Sequence, residues 1–64
     1  MTNLDFILMG HQDWDVQSVH TGAIVGAVRF NPGWNMFSFE SAGPRLDSAS
    51  MREIAKFLDE QDGL

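Results

Sequence analysis

His11-Gln12-Asp13 sets an imidazole and a carboxylate two positions apart, a pair able to lend one nitrogen and one oxygen ligand to a cation. His20 follows nine positions after His11 and there is no cysteine, so nothing completes a compact ligand pattern. A solvated turn is the stronger reading of those three residues. Asp13 and Asp15 are of the types that share acid and base work, but on alternate positions of a strand they simply make one face polar. Ser, His and Asp all occur, yet there is no nucleophile elbow, H-E-x-x-H, P-loop or G-x-G-x-x-G. A triad also needs a pocket that 64 residues rarely enclose. The expectation is a protein that is not an enzyme, holds no cofactor or metal, and works by contact.

The charge indicates what kind of contact. Nine acidic residues against four basic ones leave a net charge of −5, which repels phosphate backbones and attracts basic surfaces. Direct nucleic-acid binding is not expected, and another protein, basic or itself nucleic-acid-binding, is the expected partner. Glu53, Asp59, Glu60 and Asp62 could imitate phosphates, which keeps a nucleic-acid mimic as a second alternative. Arg52 and Lys56 interrupt that stripe and favour an ordinary solvated face.

The elements that position these groups follow from punctuation and period. The 64 residues have room for one domain, 1–64, and a chain this short buries only about 60% of its unfolded surface. Without cysteine to staple it, it relies on five Phe and two Trp, or on burial against another chain. Absence of cysteine also agrees with a reducing compartment. The apolar run at residues 6–9 is too short for a signal or a membrane span, so a cytoplasmic location with no membrane contact is expected.

Asn31-Pro32-Gly33-Trp34 reads as a type II turn with Gly33 at positive φ, and Thr21-Gly22 as a second turn. Residues 23–30 and 34–40 read as the strands of a hairpin, residues 13–19 as a third strand, and residues 4–9 as a fourth strand or a buried leading segment. Gly43-Pro44 closes the strand region.

A helix then starts between Asp47 and Ser50. Ser50 and Glu53 have the spacing of a capping box, with Asp47 and Ser48 as earlier cap choices, and Gly63 is placed to end the helix. At about 100° per residue, Met51, Ile54, Ala55, Phe57 and Leu58 share an arc of roughly 160°. Lys56 is spaced to pair with Glu53 or Glu60. The predicted fold is therefore α+β: a three- or four-stranded antiparallel meander packed on one face by a single C-terminal α-helix.

Parity assigns the two sheet faces. Ile24, Gly26, Val28 and Phe30, with Asn35, Phe37 and Phe39, are expected beneath Met51, Ile54, Phe57 and Leu58, with Gly26 making room for the helix. Val25, Ala27 and Arg29, with Trp34, Met36, Ser38 and Glu40, then point outward. If Trp14 and Val16 join them, the outer face is an apolar cluster that one helix cannot cover.

The candidate partner-binding residues are Trp14, Val16, Val25, Arg29, Trp34 and Met36, with Arg45 on the residue 41–45 loop as a forked donor. The opposite reading is that the sheet curls and buries both Trp. In size and acidity the chain resembles the short inhibitors that bacteriophages and other mobile elements make against host machinery. That resemblance implies an inhibitory binder acting by surface occlusion and assigns no residue. The alternative is a structural homodimer or a small adaptor subunit, in which self-association consumes the same face.

Overall fold

The structure is a computed structural model that describes residues 2–63. Four strands, β1 (Leu4–Gly10), β2 (Asp13–Ser18), β3 (Ile24–Asn31) and β4 (Met36–Ser41), form one antiparallel sheet in the order β1-β2-β3-β4. One helix, α1 (Ser48–Asp62), follows among the described residues and returns across one sheet face. The α+β meander is thus present in its four-stranded form, and residues 4–9 belong to a strand.

The β3–β4 turn is built differently from the expected type II turn. The Asn31 carbonyl accepts from the Trp34 N–H at 3.2 Å, but the positive φ of 55° falls on Asn35 and not on Gly33. A type I turn followed by a left-handed residue suits the twist of a hairpin, and Asn tolerates that conformation. The Asn31 side chain also accepts from the Gly33 N–H at 3.0 Å, fixing the turn from inside.

Cross-strand register decides the faces. Leu8 pairs with Trp14 and Phe6 with Val16; Trp14 pairs with Val28 and Val16 with Gly26; Val28 pairs with Phe39 and Phe30 with Phe37. All of these lie on the helix side of the sheet, with Leu8 left exposed at the edge. Val16 and Val28 are fully buried, with Leu4, Val25 and Ile54 completing the buried cluster. Phe57 stacks on Phe6 with centroids 4.0 Å apart, and Trp14 meets Phe57 edge-on at 5.3 Å and Phe37 at 5.7 Å. Aromatic pairs of this kind add about 0.5–1.5 kcal/mol each beyond the area they bury.

Several expectations about the faces are corrected. Trp14 and Val16 lie under the helix, because the register of β2 turns Asp13, Asp15 and Gln17 outward instead. Val25, expected outward, is only 5% exposed. Where β2 pairs β3, Val16 meets Gly26 but Gln17 meets Ile24, so Val25 is an extra residue whose bulge turns it inward and leaves Ile24 exposed. Met51 is also exposed, at the margin of a groove with Phe39, Leu46 and Ile54. Gly26 makes room for β4 and not for the helix: an added methyl would run into the Glu40 carbonyl oxygen and the Phe39 ring.

The helix is held at both ends. Asp47 is the N-cap and accepts from the Ser50 N–H at 2.8 Å, while Gly63 ends the helix in the left-handed conformation at φ 80°. Glu53 does not close a capping box with Ser50, nor does Lys56 ion-pair with Glu53 or Glu60 among the described residues. Its carboxylate accepts from the backbone N–H groups of Asn3, at 2.9 and 3.0 Å, and Leu4, at 3.2 Å. At the other end, Asp62 accepts from the Phe37 N–H at 2.9 Å. Two carboxylates, about two and a half turns apart, therefore fasten one helix to both edge strands.

Candidate interaction surface

The outer sheet face is polar at its centre, with exposed Ile7, Ile24 and Met36 at its margins. Asp5, Asp13, Asp15, Gln17, Arg29, Ser38 and Glu40 project from it by strand alternation, opposite the buried set. Arg29 occupies its middle: Nε donates to Asp13 at 3.2 Å and an Nη donates to Glu40 at 2.9 Å. The hydrogen bond and charge of Asp13, followed by the charge of Glu40, raise the Arg29 pKa above its ordinary value. Its donors are thus shared between two neighbours on the same face. The expected greasy outer cluster is absent because its largest contributors, Trp14, Val16 and Val25, fold inward.

Trp34 is 75% exposed, on the turn and outside the strand to which alternation assigned it. The turn that carries it is held by the N–H groups of Trp34 and Gly33, which donate to the Asn31 carbonyl and side chain respectively, and by the ring of Pro32. Met36, two residues on, opens β4 on the outer face and is exposed as well. Of the predicted contact residues, the structure brings Trp34 and Met36 together at one end of the sheet. Arg45 is distant from that pair in the chain and lines a cleft of about 360 Å³ with Asn3, Ser18, His20, Asp47 and Ser50.

Sequence reasoning missed a second exposed apolar stretch, Ile7, Leu8 and Met9 on edge strand β1. The unbroken run Phe6-Ile7-Leu8-Met9 was its signal, because a strand with one wet face ordinarily alternates.

His11 and His20 are not gathered into a ligand cluster. Among the described residues no group of three or more His, Asp or Glu stands ready to hold a metal ion. His20 instead hydrogen-bonds the Asn3 side chain at 3.1 Å. No helix among the described residues is long and apolar enough to cross a membrane. Set against protein-family models, curated proteins and solved structures, the chain matches none.

Proposed function

We propose that this chain is a protein-binding module that inserts Trp34, flanked by Met36, into a pocket of a larger protein, and that it acts by contact and not by catalysis. One observation carries the reading: a tryptophan three-quarters exposed on a turn whose backbone is locked. An exposed indole on a floppy loop would lose much of its binding energy to ordering; on this turn little is lost. Trp is also the residue type that most often dominates binding energy at interfaces. The net charge of −5 favours a basic partner surface around that pocket. A wedge seated there blocks whatever else uses the pocket, so the contact is inhibitory.

The test is capture by tagged protein, comparing the native chain with Trp34→Ala and Met36→Ala. Both variants are expected to keep the native circular dichroism, since neither side chain belongs to the buried cluster. A specific partner held by the native chain and released by Trp34→Ala supports the proposal; one held equally by both folded variants overturns it.

A further inference from the structure

In an antiparallel strand, alternate residues turn their N–H and C=O groups to opposite edges. The Val19 N–H, just after β2, donates to the Asn3 carbonyl at 3.0 Å, so the N–H of the same peptide, that of Leu4, points to the outer edge of β1, where Glu53 takes it. Phe6 and Leu8 share its parity, so their N–H and C=O groups also face outward, while Asp5 and Ile7 bond β2. Edge strands are ordinarily protected by Lys, by Pro or by a covering segment. β1 reads LDFILMG, with one charge and neither protective residue. Ile7 is 39% exposed and Leu8 63%. At the other edge, Asp62 occupies the Phe37 N–H, and β4 carries Ser38 and Glu40.

We infer that the free edge of β1 pairs with the same edge of a second copy of this chain, in an antiparallel ladder centred on Ile7. The register is selected by elimination. A shift of one residue sets outward groups against inward ones and makes no ladder. Centring on Phe6 requires the Leu4 N–H, which Glu53 holds. Centring on Leu8 runs into the irregularity between Leu8 and Gly10, where Met9 is the extra residue.

Centring on Ile7 sets Phe6 opposite Leu8 of the second copy, twice by symmetry, and uses only free groups. Ile7 then faces Ile7 of the second copy in a close, non-hydrogen-bonded pair, and Asp5 faces Met9 and not another Asp5. No carboxylate directly opposes a carboxylate. Such a twofold contact is self-complementary and closed, so it makes a dimer and not a fibre. A ladder this short belongs to the small, weak class of interfaces, so association is to be sought up to the high-micromolar range.

Sedimentation of the full chain across that range, at salt that screens its charge, tests the inference with two variants. Leu8→Pro deletes an outward N–H and no bond to β2; Ile7→Lys places two ammonium groups face to face at the twofold axis. The native chain is expected to approach twice the monomer mass, and both variants to stay monomeric with native circular dichroism. A native chain that stays monomeric, or a dimer that survives in a folded variant, overturns the ladder. Should Leu8→Pro fail to fold, Ile7→Lys alone decides between the same outcomes, because Ile7 lies outside the buried cluster. Trp34 is not on this edge, so the result is independent of the wedge.

Discussion

Glu53 and Leu4 meet across 49 positions of sequence, the carboxylate of the helix accepting the N–H that opens the first strand. An edge N–H would otherwise depend on water, and a carboxylate is the stronger acceptor. The same carboxylate takes the Asn3 N–H, so a single side chain ties the start of the sheet to the helix.

Glu53→Gln is expected to keep the shape and weaken these bonds. A loss of about 1 kcal/mol, the difference between charged and neutral acceptors, should appear as a lower urea midpoint with unchanged slope. An unchanged midpoint would show that the bonds exchange evenly with water.

Gly26→Ala is expected to destabilise by about 1–3 kcal/mol, the cost of overpacking, since the added methyl meets a fixed carbonyl oxygen and the Phe39 ring. Phe39 fills the space above the glycine, the arrangement by which an aromatic compensates a strand glycine. Adding Phe39→Leu relieves the ring but not the carbonyl, so the double variant should recover only part of the expected shortfall. Thermal melts of the four chains check the cycle.

Asp47 gives a pH signature. The hydrogen bonds of the Ser50 hydroxyl and N–H hold its carboxyl below the usual carboxylate range. A depressed folded-state pKa stabilises fully above the unfolded value, and the contribution is lost as the pH falls through the folded one. The gap in melting temperature between the native chain and Asp47→Ala should therefore be widest near neutrality and close in strong acid. Asp47→Asn should show a smaller gap, because Asn also caps helices well. A gap independent of pH would mean that the charge plays no part in the cap.

Element type and order were legible in the chain itself, because period and punctuation are local: alternation in β2 and β4, the apolar arc from Ile54 to Leu58, Pro32 and Gly63 at the breaks. What only the tertiary structure decided was which way each strand faced and what the long-range acceptors held. The Val25 bulge and the inward turn of Trp14 depend on partners in other strands, and one extra residue reverses parity. Glu53 looked like a helix cap because its local spacing fits one; the acceptor went to Leu4 because folding brought an edge N–H within reach. Trp34 was recognisable by type as a contact residue, but its place on a rigid turn required the Asn31 bonds that the folded hairpin makes.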